Sequence, residues 1–183
     1  MISHLPTETR RYPLVVESLD DGAAAFTRVR RRLFCIAHRV LGNWTEAEDV
    51  VQDAWLRWQG CDRSTVLNPT AFLVTATTRL AINAAECARA RRESYVGEWT
   101  PEPVDAAADP ASQAVRSNEL ELGMLLMTER LTSTERAAYV LREAFDYPYP
   151  RIAGMLRLSE ANTRQLVCRA GKKLAASRAS IGP

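Results

Sequence analysis

Three carboxylates follow one another at helical spacing in the first half of the chain, at Glu46, Asp49 and Asp53. Steps of three and four residues place them on one outward face of a helix, with Gln52 beside them. Such carboxylates could act as an acid and base pair or hold a magnesium ion. No catalytic histidine, nucleophile or phosphate-binding loop accompanies them in the sequence, so we expect no enzyme. A face that docks a basic protein partner fits the pattern better, and a carboxylate-based metal nuclease is the weakest alternative.

The cysteines and histidines do not form a metal-ligand pattern. Cys35 and His38 lie three residues apart on one predicted helix face, which could supply half of a site. The only other histidine, His4, falls in a predicted tail, and the four cysteines are scattered along the chain. We therefore expect buried free thiols, no metal and no other cofactor.

Basic and amide side chains form the opposite kind of surface near the C-terminus. The segment YPRIAGMLRLSEANTRQLVCRAGKKL has the proportions of a helix-turn-helix, with Ser159 placed to cap its second helix. Arginine and glutamine or asparagine are the side chains that make bidentate contacts with guanine and adenine. From Ala161 onward there are five Lys or Arg residues and no acid. We therefore favour DNA binding over a solvated amphipathic helix, through a face that carries Asn162, Arg164, Gln165, Arg169 and Lys172.

A second basic surface is predicted at the end of the third helix. Arg89, Arg91 and Arg92 lie there, Arg79 lies earlier on the same helix, and a polar loop at 60–68 precedes it. Such a surface could hold a DNA backbone while the loop captures unstacked bases. An ordinary charged surface is the alternative for this set and for the acidic one.

Helical periodicity positions these residues. An apolar stripe over 26–41 predicts a first helix, which Asp20 or Asp21 would cap and Gly42 would end. The segment 45–48, Thr-Glu-Ala-Glu, is a predicted capping box that opens the second helix.

The rest of the chain is predicted to be two helical parts joined by a linker. Asn68-Pro69 should begin the third helix, and residues 93–115 contain three prolines, five acids and no Lys or Arg, which is typical of a linker. Helix should resume and run to about residue 130. A second capping box at 132–135 opens another helix, and the Tyr-Pro-Tyr-Pro segment at 147–150 forces a turn.

Composition agrees with this helical reading. The chain has 183 residues, 46% of them hydrophobic and 25% charged, which excludes global disorder. Eight glycines and nine prolines are too few for an all-β chain. No stretch approaches the roughly 18 apolar residues of a membrane span, and the N-terminus shows no secretory signal. We expect an all-α, soluble, cytoplasmic protein, and the net charge of +2 does not by itself indicate a partner.

Three segments carry a resemblance to a known family. Sigma region 2.1–2.2 is similar to FTRVRRRLFCIAHRVLGNWTEAEDVVQDAWLRW, in which AEDVVQDAW is the most distinctive part. Regions 2.3–2.4 are similar to FLVTATTRLAINAAECARARRE, and region 4 to LTSTERAAYVLREAFDYPYPRIAGML with RLSEANTRQLVCRA. In this order the segments resemble an extracytoplasmic-function (group IV) sigma factor of the sigma-70 family, a promoter-specificity subunit of bacterial RNA polymerase.

The resemblance is closest to the subgroup that normally carries a C-terminal SnoaL-like extension. Two motifs carry this closer resemblance, the segment RARRESYVGEWTPEP and the pattern RQLxxRA in the last helix. Three departures stand out. Arg157 occupies the turn position usually held by glycine, Thr100 replaces a leucine of the linker motif, and the chain has no room for the extension. A shortened form or a member without that regulator would explain the last departure.

The resemblance implies a domain layout and two main partners, promoter DNA and core RNA polymerase, the latter through its β′ clamp helices and β flap. An anti-sigma factor or a regulatory domain missing from this chain would be a further partner, and no membrane insertion is expected. The expected layout is an N-terminal tail (1–13), a region 2-like domain (14–93), a flexible linker (94–112), a region 4-like helix-turn-helix domain (113–178) and a C-terminal tail (179–183).

The resemblance also implies three sets of site residues. Those expected to bind core polymerase are Glu48, Asp49, Gln52, Asp53 and Trp55. Those expected at the −10 element are Asp62, Asn68, Arg79, Asn83, Arg89, Arg91 and Arg92. Those expected at the −35 element are Asn162, Arg164, Gln165, Arg169 and Lys172. A helix-turn-helix regulator that binds duplex operators without polymerase is the alternative function.

Overall fold

Two groups of helices make up the part of the chain that the computed structural model describes, residues 16–94 and 123–181. The N-terminal helical group consists of α1 (Val16–Leu41), α2 (Trp44–Gly60), a 3-10 turn (Arg63–Thr65) and α3 (Pro69–Ser94). The C-terminal helical group consists of α4 (123–130), α5 (Ser133–Glu143), α6 (Tyr149–Leu156) and α7 (Glu160–Ile181). No strand occurs in these two ranges, and the all-α prediction is confirmed.

The predicted linker at 94–112 falls almost entirely outside the described residues. None of the helices described here combines the length and the apolarity that crossing a lipid bilayer requires.

The starts of the first two helices differ from the predictions. α1 already begins at Val16, so the expected caps Asp20 and Asp21 lie inside it. The intervening sequence has no glycine or proline, and acidic residues are favourable in the first turns of a helix. The predicted capping box at Thr45 is also wrong, because the Asn43 side chain accepts a hydrogen bond from the Glu46 amide at 3.0 Å and thereby caps α2.

The starts of α3 and α5 agree with the predictions. The Asn68 side-chain oxygen accepts a hydrogen bond from the Ala71 amide at 2.9 Å, and Pro69 is the first residue of α3. At α5, the Thr132 hydroxyl accepts from the Glu135 amide at 3.2 Å, and the Glu135 carboxylate accepts from the Thr132 amide at 3.1 Å. The second capping box is therefore confirmed.

The core of the N-terminal helical group fixes which face of α2 remains in solvent. Trp58 is almost fully buried, and its indole Nε1 donates a hydrogen bond to the Gly22 carbonyl at 2.8 Å. This contact joins the end of α2 to the beginning of α1. Val51 of α2 and Leu73 of α3 are also buried in the core between these helices. The opposite side of α2, around Asp49 and Asp53, consequently faces water.

In the C-terminal helical group, α6 and α7 form the predicted helix-turn-helix. The Ser159 hydroxyl accepts from the Asn162 amide at 3.2 Å, so Ser159 caps α7 as expected. Arg157 has φ 56° and ψ 43°, the left-handed conformation that the missing glycine would favour. α7 continues to Ile181, so the first residues of the expected C-terminal tail (179–183) are helical.

The two helical groups pack against each other and share a continuous hydrophobic core. α1 and α3 contact α5, and α3 also contacts α6. Leu141 and Ile152 of the C-terminal helical group belong to the same cluster of buried side chains as Leu33 and Leu73 of the N-terminal one.

Candidate protein and nucleic-acid interfaces

The outward side of α2 carries the expected carboxylates. Asp49, Gln52 and Asp53 are exposed, and Glu46 is half-buried at the start of the helix. Leu56 lies one turn further along and is 56% exposed, which the charge pattern alone did not indicate. These five residues form what we call the acidic face. A single exposed apolar side chain is common on protein surfaces, so Leu56 only adds apolar contact area beside the carboxylates.

Glu48 and Trp55, which the family resemblance grouped with these residues, have contacts inside the fold. The Glu48 carboxylate lies 2.7 Å from the Arg30 guanidinium of α1. Both side chains of this pair are more than a third exposed, so the ion pair contributes little stability. The Trp55 ring packs at 4.8 Å from the Phe26 ring and is only partly exposed. Trp55 therefore helps to hold α1 and α2 together.

The loop between α2 and α3 is organised by its own polar residues. The Asp62 carboxylate accepts hydrogen bonds from the Ser64 hydroxyl at 2.6 Å and from the Ser64 amide at 3.0 Å. These two hydrogen bonds lower the pKa of Asp62, with the side-chain bond as the larger cause, so this exposed group stays charged. At the other end of the loop the Asn68 side chain caps α3. Asp62 and Asn68 thus fix the shape of the loop, and Leu67 between them is fully exposed.

On α3 the structure separates Arg79 from the other predicted −10 residues. Asn83, Arg89 and Arg91 are exposed, whereas the side chain of Arg92 lies outside the described part of the chain. Arg79 points instead to the C-terminal helical group, where its Nε donates to a backbone carbonyl at 2.7 Å. Burial at this contact, and next to it the positive charge of Arg157, lower the pKa of the Arg79 guanidinium.

The outer face of α7 is polar, and its arginine at 164 is held in place. Gln165, Arg169 and Lys172 are exposed and Asn162 is half-buried. The Arg164 guanidinium lies 4.5 Å from the Tyr149 ring centroid, and its Nη2 is 2.6 Å from a Glu160 carboxylate oxygen. Tyr149 is a contact that the sequence pattern did not indicate.

α7 is anchored to the rest of its group by a cation at the capping box. The Lys173 Nζ donates to both carboxylate oxygens of Glu135, at 2.8 and 3.0 Å. Burial alone would raise the pKa of Glu135, but the hydrogen bonds from Lys173 and Thr132 and the Lys173 charge lower it overall. The Glu135 side chain is 6% exposed, so this carboxylate is charged inside the fold and links two helices.

The expected burial of the free thiols is wrong, because Cys87 and Cys168 are exposed and the other two cysteines are only partly buried.

The region around Cys35 and His38 forms an aromatic cluster. The His38 ring lies 5.8 Å from that of Phe34 and 5.2 Å from that of Trp44, and burial followed by the charge of Arg39 lowers its pKa. Within residues 16–94 and 123–181, no three His, Cys, Asp or Glu side chains come together as metal ligands would.

Comparisons of sequence divide the chain as the two helical groups do. Residues 25–92 match the family model of Sigma-70 region 2, and residues 122–174 match that of Sigma-70, region 4. The ECF RNA polymerase sigma factor SigJ of Mycobacterium tuberculosis is 38% identical over 159 residues, which are 85% of this chain and 51% of that protein. From the same species, the protein named "Probable ECF RNA polymerase sigma factor SigI" is 32% identical over 169 residues, 90% of this chain and 58% of its own length. This chain spans about half the length of the curated relatives it matches.

Two solved structures are similar to this fold. The crystal structure of SigJ from M. tuberculosis has a TM-score of 0.60 at 35% identity, over 83% of this chain and 52% of that one. The sigma factor RpoE of Bartonella quintana, crystallised in complex with the anti-sigma factor NepR, has a TM-score of 0.58 at 20% identity, over 85% of this chain and 94% of that one. The second likeness concerns the fold alone.

Proposed function

This chain belongs to the extracytoplasmic-function group of the sigma-70 family, and from this membership we propose that it directs core RNA polymerase to specific promoters and initiates transcription there. It has no catalytic role of its own, because the chemistry of RNA synthesis stays in the core enzyme. It acts in the cytoplasm, where polymerase and chromosomal DNA meet. One observation carries the proposal: a single chain presents an exposed acidic helix face in its region 2 match and an exposed basic helix-turn-helix in its region 4 match.

The acidic face of α2 is proposed to bind the clamp helices of the polymerase β′ subunit. Asp49 and Asp53 supply negative charge for a basic partner, and Leu56 supplies apolar contact area among them. Complementary charge speeds association and selects the partner, while the buried apolar centre contributes affinity. The region 4 match is proposed to contact the β flap.

The loop at 61–68 and the exposed side of α3 are proposed to bind and open the −10 element. A melted base taken out of the stack costs a few kcal/mol, which a pocket that holds the base must offset. Asp62 and Asn68 keep the loop in one conformation, and this preorganisation lowers the cost of binding. Arg89 and Arg91 are exposed on α3, where they would contact phosphates of the adjoining duplex.

The outer face of α7 is proposed to bind the −35 element in the major groove. Gln165 and Arg169 are exposed there, and Arg164 is already oriented by Tyr149 and Glu160. Residues 14–93 and 113–178 would be the two DNA-binding domains, and the segment 94–112 would tether them. A tether raises the effective concentration of the second domain once the first has bound. An anti-sigma factor or a separate regulatory domain is proposed as a further partner.

Run-off transcription with purified core polymerase tests the proposal. Templates are selected by sequencing the DNA that the chain and core polymerase enrich together from genomic fragments. We expect promoter-dependent transcripts only when both proteins are present, and co-elution of the two in size-exclusion chromatography. A folded chain that ignores core polymerase and binds duplex DNA alone as a dimer would instead be a helix-turn-helix regulator, and the proposal would be wrong.

A further inference from the structure

The Arg164 guanidinium is held by two side chains, one from each helix of the helix-turn-helix. Glu160, one turn earlier on α7, accepts on a single carboxylate oxygen from Nη2 at 2.6 Å and from Nε at 3.1 Å. The centroid of the Tyr149 ring, at the start of α6, lies 4.5 Å from the Arg164 Cζ. The Arg164 side chain is nevertheless 59% exposed. This arginine on the outer face of α7 is therefore fixed in direction while its end stays open to solvent.

Tyr149 is itself fixed by a second arginine. The Arg142 guanidinium of α5 lies 5.0 Å from the centroid of the same ring. Its Nη1 donates to the Tyr147 carbonyl at 3.2 Å and to the Asp146 carboxylate at 3.1 Å. Because a guanidinium is attracted to the negative face of an aromatic ring, Arg142 ties the Tyr149 ring to the turn between α5 and α6. The direction of Arg164 consequently depends on contacts from three helices.

These contacts leave one edge of the Arg164 guanidinium available. Glu160 occupies the edge that Nε and Nη2 form, so the two N–H groups that point outward from Nη1 and Nη2 remain for another acceptor. Two parallel N–H donors match the O6 and N7 acceptors of guanine in the major groove. Adenine presents a donor at N6 beside its N7, so it cannot accept from both. An edge of this kind therefore selects guanine among the four bases.

A phosphate is the other acceptor that the outward edge could take, and the charge beside it argues against one. The Glu160 carboxylate lies 2.6 Å from the Arg164 Nη2 and would repel a phosphate oxygen, which is also negative. Guanine O6 and N7 carry no net charge, so the carboxylate penalises them less. Position on the helix agrees, because Arg164 lies in the second turn of α7 and the N-terminal residues of a recognition helix contact base edges.

We propose that Arg164 reads one guanine of the −35 element through this edge, and that Tyr149 and Glu160 are positioning residues that direct its guanidinium to the base. The inference rests on the proposed function, which it deepens by naming the base and the residues that set its recognition. An arginine that is already oriented gives up less side-chain freedom when it binds, so its contact is stronger and more selective. Loss of Tyr149 should therefore weaken discrimination at one base pair and leave the other −35 contacts in place.

Binding to a panel of promoter duplexes tests the proposal. Fluorescence anisotropy measures the affinity of the full chain, bound to core polymerase, for the enriched promoter and for duplexes in which each −35 base pair is replaced in turn. For the native chain, replacing the guanine that Arg164 reads by adenine should lower the affinity at least five-fold, which corresponds to about 1 kcal/mol. Arg164→Ala should abolish this difference and leave the penalties at the other positions unchanged. Tyr149→Leu should reduce it to less than two-fold, whereas Tyr149→Phe keeps the aromatic face and should keep the native discrimination.

A double-mutant cycle separates positioning from a structural role. In the Arg164→Ala background, Tyr149→Leu should cause no further change in base preference, because its effect acts through the arginine. An equal loss of affinity on every duplex, with or without Arg164, would mean that Tyr149 only stabilises the fold, and it would overturn the inference. Salt dependence gives a second criterion, because a lost phosphate contact lowers the slope of log affinity against log salt by about one. A slope lowered by that amount in Arg164→Ala would likewise overturn the inference.

Glu160→Ala covers the case in which Tyr149→Leu does not fold, as judged by circular dichroism. The Glu160 side chain is 42% exposed, so its removal releases Arg164 on one side without opening the core. We expect a smaller difference between guanine and adenine at the same base pair, and no fall in overall affinity, because the change also removes a negative charge from the DNA-facing surface. An unchanged difference would overturn the inference. A native chain that prefers no promoter in complex with core polymerase would instead overturn the proposed function.

Discussion

The link between Glu135 and Lys173 should determine how firmly α7 is held against the start of α5. In Glu135→Gln the side chain keeps its size but loses the charge that faces the Lys173 Nζ at 2.8 Å. The amide can still accept from the Thr132 amide, so the capping box is weakened rather than removed. The substitution therefore isolates the ionic part of the contact between the start of α5 and the middle of α7.

The expected loss of stability follows from the exposure of the two partners. Breaking a fully buried ion pair costs about 3–5 kcal/mol, because the remaining charge stays in a medium of low polarity. Here the Lys173 side chain is 45% exposed and can return to water, whereas the Glu135 side chain is 6% exposed. A charge-assisted hydrogen bond is worth about 1.5–3 kcal/mol, so we expect a loss of about 2 kcal/mol in the free energy of unfolding. That is roughly a thirty-fold change in the unfolding equilibrium.

Urea unfolding followed by circular dichroism, at neutral and at acidic pH, measures this loss. The pKa of Glu135 is lower in the folded chain than in the unfolded one. Its stabilising contribution is therefore fully present above the ordinary carboxyl pKa and is lost as the pH falls through the lowered folded-state pKa. The difference in the free energy of unfolding between the native chain and Glu135→Gln should consequently become smaller at acidic pH. The matched control is Glu143→Gln, an exposed glutamate of the same helix, which should change stability by less than about 0.5 kcal/mol. Equal stability of native and Glu135→Gln at neutral pH would refute the reasoning.

Three further predictions concern the proposed interfaces. Gln165→Ala should weaken −35 duplex binding by about 1–3 kcal/mol and relax the base preference at one position. Fluorescence anisotropy on a panel of duplexes measures both effects, and an unchanged preference would count against α7 as the recognition helix. Asp49→Asn with Asp53→Asn should slow association with core polymerase several-fold at low salt, as measured by surface plasmon resonance. Glu129→Gln on α4 is the control. An association rate equal to that of the native chain would show that the acidic face is not part of the docking surface. Asp62→Ala should release the 3-10 turn and reduce binding of single-stranded −10 oligonucleotides. The control Thr65→Ser keeps a hydroxyl that can donate to the Asp62 carbonyl, so it should bind normally. Equal binding by both variants would contradict the role of the loop.

Helix boundaries were predictable from the sequence where one residue is clearly the best cap. Asn68 followed by proline and the Thr132 capping box are such cases, and both are confirmed. At α2 two adequate caps lie close together, and Asn43 rather than Thr45 is used because the left-handed Gly42 lets the helix begin directly after it. Local propensity does not separate these two starts by enough energy to decide between them.

Contacts between distant parts of the chain were not predictable in the same way. Arg79 and its acceptor Met155 are 76 residues apart, and nothing in the local pattern of either helix indicates the pairing. Charge pattern alone placed Arg79 with Arg89 and Arg91, whereas tertiary packing turns it to another helix. The exposure of Leu56 and Leu67 depends on three-dimensional packing for the same reason.

Because both helical groups contribute to one hydrophobic core, neither group can move away from the other without exposing apolar side chains. Parting the groups brings side chains such as Tyr147 and Leu141 into water, and newly wetted apolar area raises the free energy by about 25 cal/mol for each Å². A form in which the groups have separated is therefore rarely populated in the free chain, and its exposed apolar surface favours aggregation and proteolysis. A separated arrangement of the two groups is therefore expected only where another surface covers this apolar area.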